Sequence, residues 1–267
     1  MAESEGLKKV SISSRNLALA GIISGVAGVY LSGFSIIIPA VLTIPIFLWG
    51  ADVLRRIAGY GIGTGVPSIG NLAASMGIIT ALIGLKFQPA FGIGFAAFAG
   101  WIYGVIISRF KILEIPSFPR FMLELSVSSC IALLCMITVI VGGYSPLLQN
   151  FMNAHILPAV FATGFVIIVY WTTGIGLFHP FNASLGAGER QARTLRVSIV
   201  ITGMNVVLIG FARVGYTVLS GSATYYEPVI VVLIGIIVWI YGLYALFKAS
   251  SKEAAMVTWT GIPRPKR

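Results

Sequence analysis

The sequence predicts an all-α fold: a polytopic integral membrane bundle of about eight transmembrane helices, forming one domain over residues 1–267. Three observations predict it. The chain is 57% hydrophobic and only 10% charged, against roughly 45–50% and 25% in a soluble domain, and that much apolar surface has no place in water. The apolar runs are long and continuous, as the roughly 20 residues of a spanning helix require, and lack the ten-residue alternation of membrane β-strands. The basic residues, finally, collect at alternate ends of these runs.

Taken in order, the uncharged stretch from Asn16 to Ala51 holds 36 residues. It has room for spans at 16–33 and 36–54, joined by a tight turn near Ser32 to Ser35. On the first span Gly21, Gly25 and Gly28 share one face. The third span, 67–85, ends at Lys86. The fourth, 88–108, places Ala96, Gly100 and Gly104 on one face and ends at Arg109. Spans five to eight fall at 121–143, 156–178, 197–219 and 228–247. Lipid supplies no hydrophobic drive between helices, so the small-residue faces of spans one and four predict close backbone contact there.

With the N-terminus inside the cell, the inner segments hold Lys8, Lys9, Arg15, Arg55, Arg56, Arg109, Lys111, Arg120, Arg190, Arg193, Arg196, Lys248, Lys252, Arg264, Lys266 and Arg267, which is 16 of the 18 basic residues. Lys86 and Arg213 are the exceptions. This bias obeys the positive-inside rule and predicts a multi-pass protein of the cell membrane with both termini cytoplasmic. The formal charge of +10 is then a topology signal with anionic lipid contact as its physical role, and nucleic acid is not an expected partner. The first apolar run shows no small-residue cleavage site and is expected to stay as an anchor. Cys130 and Cys135 lie about 140° apart on one helix, so neither a disulfide nor a metal site is expected.

The halves carry a possible repeat, with units at 15–108 and 121–247. Gly61-Ile62-Gly63 followed by Pro67 recurs 113 residues later as Gly174-Ile175-Gly176 followed by Pro180. Gly92-Ile93-Gly94 occurs without the proline, so chance recurrence in a glycine-rich chain is the competing explanation. Irregular backbone at membrane depth is tolerated only where protein buries it or a cavity wets it. Gly61, Gly63, Thr64, Pro67, Ser68, Gly174, Gly176, Pro180 and Asn182 are therefore the cavity-lining candidates, with ordinary surface loops as the alternative.

No catalytic constellation is evident. His155 and His179 fall in loops on opposite sides, no paired acidic motif is present, and no metal set can be assembled. The polar content inside the membrane says more. On the seventh span Ser198, Thr202, Asn205, Arg213 and Tyr216 lie within about 80° of one another, forming either an interhelical hydrogen-bonding seam or one wall of an ion path. Arg213 is expected near the outer interface, snorkelling or paired with Glu227. On the fifth span Glu124 and Ser128 share a face, with a carboxylate about one turn inside the boundary. The ion-pathway candidates are thus Glu124, Ser128, Ser198, Thr202 and Asn205. Asp52 is expected to pair along its helix with Arg55 and Arg56, and Glu189, Arg190 and Arg193 are expected on a loop with a short basic helix. These six are the candidates for docking a soluble partner, with a solvated surface as the alternative.

The block from Trp49 to Gly70, WGADVLRRIAGYGIGTGVPSIG, resembles the family formed by the C subunit of tetrahydromethanopterin S-methyltransferase from methanogenic archaea. The D and E subunits of that complex are the weaker matches. The resemblance implies a complex that passes a methyl group from tetrahydromethanopterin through a corrinoid to coenzyme M and exports sodium ions. It implies sister membrane subunits and a corrinoid-carrying subunit as partners, sodium in transit, and coenzyme M at a cytoplasmic cavity shared between subunits. It also implies that this chain alone holds neither the corrinoid nor a catalytic residue of methyl transfer. Sodium prefers hard oxygen ligands, and the chain offers mainly Ser, Thr, Asn and backbone carbonyls. The other readings are a stand-alone secondary transporter and a non-conducting membrane scaffold.

Overall fold

The structure, a computed structural model, describes residues 12–62, 65–144, 156–175, 190–221 and 225–254. The described residues form eight helices, each long and apolar enough to cross a bilayer. They are α1 (Ser14–Leu31), α2 (Ile37–Ala58), α3 (Gly65–Lys86), α4 (Pro89–Arg109), α5 (Phe118–Val141), α6 (Ile156–Thr173), α7 (Gln191–Leu219) and α8 (Tyr226–Ala254). Every predicted span falls on one of them, and no strand occurs among the described residues.

Local chemistry sets the helix ends. α2 stops at Gly59, and Gly61 follows at φ +77°, a left-handed conformation open to glycine at little steric cost. Prolines open α4 and α5 within their first two positions, where the missing N–H would be unpaired anyway. α5 ends on Gly142 at φ +98°, whose N–H donates to the Thr138 carbonyl.

α5 is the axis of the bundle: 94% of its most apolar stretch is buried, against 22% for α4 and 17% for α8. It packs against α1, α2, α3, α4, α6 and α7, whereas α8 rests on α7 and α2. The small-residue faces do what the sequence predicts. A methyl group added at Gly21 would lie 2.7 Å from the Trp49 ring, and one at Gly28 would lie 2.9 Å from Cys135 Sγ. One at Gly25 would collide with Ile131, and on α4 one at Gly100 would lie 2.6 Å from the Met122 carbonyl oxygen. α7 and α8 join through Gly203, Gly210, Gly235 and Gly242.

Contacts at each end fix the alternation of the chain. Ser14, Asp52, Glu124 and Gln191 meet at one end, where most arginines of the described residues also lie; we call it the basic end. At the opposite end Ser32 Oγ accepts from the Tyr144 N–H at 2.8 Å, and Tyr30 packs edge-on to Tyr144. Arg213 lies at this end half-buried, with a contact beyond the snorkelling or Glu227 pairing expected of it. Its Nη1 donates to the Ile140 carbonyl at 3.0 Å, capping the last turn of α5. Cys130 and Cys135 are buried free thiols.

Two boundaries differ from expectation. The short basic helix foreseen before the seventh span is the beginning of α7 itself, a single helix of 29 residues with Arg190 at its N-cap. α8, also of 29 residues, runs past its expected end. Hydropathy falls where these helices leave the apolar layer, but the backbone continues to bond in register.

Candidate functional site

Two polar systems stand out in the otherwise apolar bundle. The first is a ladder of charges at the basic end. Asp52, on the last full turns of α2, is completely buried. Its Oδ1 accepts from Arg55 Nε at 3.0 Å, Arg55 Nη2 at 2.9 Å and Gln191 Nε2 at 3.0 Å, and its Oδ2 accepts from Ser14 Oγ at 2.6 Å. The local pairing with Arg55 and Arg56 is the one expected from i,i+3 and i,i+4 spacing. One carboxylate thereby ties the start of α1, the end of α2 and the start of α7.

Arg56 carries the ladder on. Its Nη2 donates to Glu124 Oε2 on α5, while its Nε, 3.4 Å from Asp52 Oδ2, makes an ionic contact without hydrogen-bond alignment. Glu124 also accepts from Trp49 Nε1 at 3.2 Å and, through Oε1, from Arg120 Nε at 2.8 Å. The Phe121 ring lies 5.1 Å from the Arg56 guanidinium. Two buried carboxylates thus meet three guanidinium groups, and a buried charge is tolerable only when paired in this way.

The ladder floors a cleft of about 390 Å³ lined by Arg55, Arg56, Tyr60, Ser117, Arg120 and Phe121. Of these, only Arg55 and Arg56 are site candidates on sequence grounds. Arg120 stands four residues before Glu124, a helical pairing distance that could have flagged it. Trp49, Gln191, Ser14, Tyr60, Ser117 and Phe121 gave no comparable signal.

The second system is the seam on α7. Ser198, Thr202 and Asn205 are all completely buried, and the glycines that meet α8 lie on other sides of the helix, so the seam faces the bundle interior. Thr202 Oγ1 donates to the Ser198 carbonyl at 2.6 Å. Neither the nitrogen nor the oxygen of the Asn205 amide has a protein partner, and Ser198 Oγ has none either. Ser128, by contrast, is satisfied: it donates to the Leu125 carbonyl and shares a 2.7 Å hydrogen bond with the buried Tyr170 hydroxyl.

The remaining candidates are scattered. Arg190 and Arg193 lie at the start of α7, and Glu189 lies outside the described residues, as do Gly63, Thr64, Gly176, Pro180 and Asn182. Ser68 is exposed. The two glycine-proline motifs meet each other: a methyl group at Gly174 would lie 3.2 Å from Pro67. No group of three His, Cys, Asp or Glu side chains able to hold a metal exists among the described residues.

Comparison with known proteins places this arrangement in a lineage. The model of the family described as the C subunit of tetrahydromethanopterin S-methyltransferase matches residues 1–266. A protein of the same description from Methanopyrus kandleri is 32% identical over 95% of this chain and 90% of its own length. The one from Methanosarcina mazei is 31% identical over 96% and 94%. The one from Methanococcus maripaludis strain S2 is 27% identical over 91% and 90%.

Proposed function

The chain belongs to the family of tetrahydromethanopterin S-methyltransferase C subunits, as a multi-pass membrane component of a methyltransferase complex, and from that premise we propose that it couples methyl transfer to sodium export. In this reading the complex moves the methyl group from methyl-tetrahydromethanopterin through a corrinoid to coenzyme M. This chain supplies part of the ion route, while the corrinoid and the reacting thiol are held elsewhere or at a cytoplasmic cavity shared with sister subunits. The basic end faces the cytoplasm, as the positive-inside rule requires, and both termini lie there. Arg190 and Arg193, at the start of α7, serve the docking of the corrinoid-carrying subunit.

The observation that carries the proposal is the Asn205 amide, buried with neither polar atom satisfied by protein. Burying such a group unpaired costs roughly 1–3 kcal/mol. The spare Asn205 amide oxygen and the Ser198 hydroxyl oxygen are the kind of ligand a hydrated sodium ion needs when it trades water for protein. Glu124 and Ser128 belong to the approach rather than to the ligand set. Glu124 is already matched by Arg56 and Arg120, and Ser128 by Tyr170.

The test is vectorial. The intact complex, reconstituted in sealed vesicles, should accumulate sodium-22 only while methyl groups reach coenzyme M, and a sodium ionophore should abolish the gradient without stopping the chemistry. Methyl transfer at full rate with no sodium movement would end the coupling reading.

A further inference from the structure

We propose that the cleft at the basic end is a binding site for a phosphate-bearing lipid headgroup. The inference rests on the cleft and on the membrane-spanning fold and does not depend on the methyltransferase reading. Its cations are fixed in advance. Arg55 uses Nε and Nη2 on Asp52, Arg56 uses Nη2 on Glu124, and Arg120 uses Nε on Glu124. The remaining N–H donors of all three have no acceptor among the described residues. Each guanidinium is therefore oriented along one edge by a buried carboxylate and keeps another edge for a ligand.

The charge balance sets the sign of that ligand. Three arginines against Asp52 and Glu124, both buried, leave one positive charge uncompensated in a partly desolvated recess. The helix dipoles do not decide the matter: α5 turns its positive N-terminus to the cleft, but α2 turns its negative C-terminus to it. A tetrahedral monoanion such as a phosphodiester matches the charge, and guanidinium groups match its geometry.

The surroundings point to lipid as the source. The cleft sits where α2 ends and α5 begins, at headgroup depth. Tyr60, 46% exposed, stands on its wall, the place an amphipathic ring takes at a membrane interface. The link between α4 and α5 exposes Phe110 and Ile112 on either side of Lys111, and α4 leads into it with Trp101, Val105 and Ile106 outward. An apolar flank beside a basic recess at the end of transmembrane helices is a recognised headgroup setting.

Native mass spectrometry of the delipidated full chain in a neutral detergent, titrated with phosphatidylglycerol, tests this. One lipid should bind preferentially over phosphatidylcholine. Arg120→Gln should weaken it about fivefold, the equivalent of one basic side chain near the surface. Ser117→Asp, at an exposed left-handed position that aspartate tolerates, should weaken it at least as much without loss of fold. Lys111→Gln, on the same loop but outside the cleft, should leave it within twofold. Equal weakening by all three variants, or by none, would overturn the site. Displacement of the bound lipid by submillimolar inorganic phosphate or a soluble sulfonate would overturn the lipid assignment and make the cleft a site for a free oxyanion.

Discussion

The Trp49 indole N–H donates to Glu124 Oε2 at 3.2 Å, joining α2 to α5 across 75 residues of sequence. The bond lies next to the point where Arg56 reaches the same carboxylate oxygen, so a fluorescent side chain reports directly on the charge ladder.

Glu124→Gln leaves Arg56 and Arg120 without their shared anion. Removing one member of a buried pair costs about 3–5 kcal/mol. Because Arg120 is 68% exposed and Arg56 is 17% exposed, solvent recovers part of this, and we expect a loss nearer ~2 kcal/mol. Thermal unfolding followed by tryptophan emission measures it, and Trp49→Phe should cost only about 1 kcal/mol, one neutral donor's worth.

Asp52→Ala removes an anion that is fully enclosed and holds three helix ends, so a loss of about 3 kcal/mol or more is expected. Gln191→Ala, which gives up one of its contacts, should cost about 1 kcal/mol. Limited proteolysis near residue 190 should accelerate in the aspartate variant. Equal rates in the variant and the parent would show that the start of α7 is held by something else.

Asn205→Leu separates the two meanings of the α7 seam. A side chain that tied helices together would lower stability when replaced, but this amide has no protein partner, so the leucine variant should unfold at the same temperature as the parent or higher. If sodium uses the seam, the sodium concentration giving half-maximal methyl transfer should rise in the assembled variant. An unchanged sodium dependence would remove Asn205 from the route.

Glycine positions divide by what a methyl group would meet. Gly25→Ala drives into Ile131 and should cost about 1–3 kcal/mol by overpacking. Gly94→Ala meets nothing within 4 Å and should gain about 0.5–1 kcal/mol from helix propensity. Unfolding temperatures of the two variants should therefore move in opposite directions.

Orientation is open to a direct check, since Cys130 and Cys135 are buried and need no replacement. In sealed right-side-out vesicles, Ala192→Cys should resist a membrane-impermeant maleimide and Ser220→Cys should react. The reverse pattern would invert the chain in the membrane.

How much of this was legible follows from which solvent each residue sees. The eight spans could be read because hydrocarbon admits almost nothing but apolar side chains, and Gly21, Gly25 and Gly28 announced a contact face by spacing alone. The start of α7 was missed because Arg193 and Arg196 end the hydropathy signal while the helix continues into water. Asp52 with Arg55 and Arg56 was readable as neighbours on one helix. Its onward link from Arg56 to Glu124 spans 68 residues and depends on the register of α2 against α5, which no local pattern encodes. Arg213 was placed at the correct depth, yet its acceptor, the Ile140 carbonyl, belongs to another helix's last turn. The polar face of Asn205 was visible, but its lack of a partner was not, because that depends on every side chain packed around it.

The unbroken length of α7 has a mechanical consequence. Its 29 residues extend about 43 Å, well beyond the roughly 30 Å of a hydrocarbon core. It contains no proline at which to kink, and through its middle turns Gly203 and Gly210 meet α8 while Gly235 and Gly242 of α8 meet it in return. The two helices form a stiff double rod with one end tethered at Asp52. A torque applied to the protruding turns at Arg190 and Arg193 would reach Asn205, about 18 Å away along the axis from Arg193, as rotation of the whole rod rather than as bending.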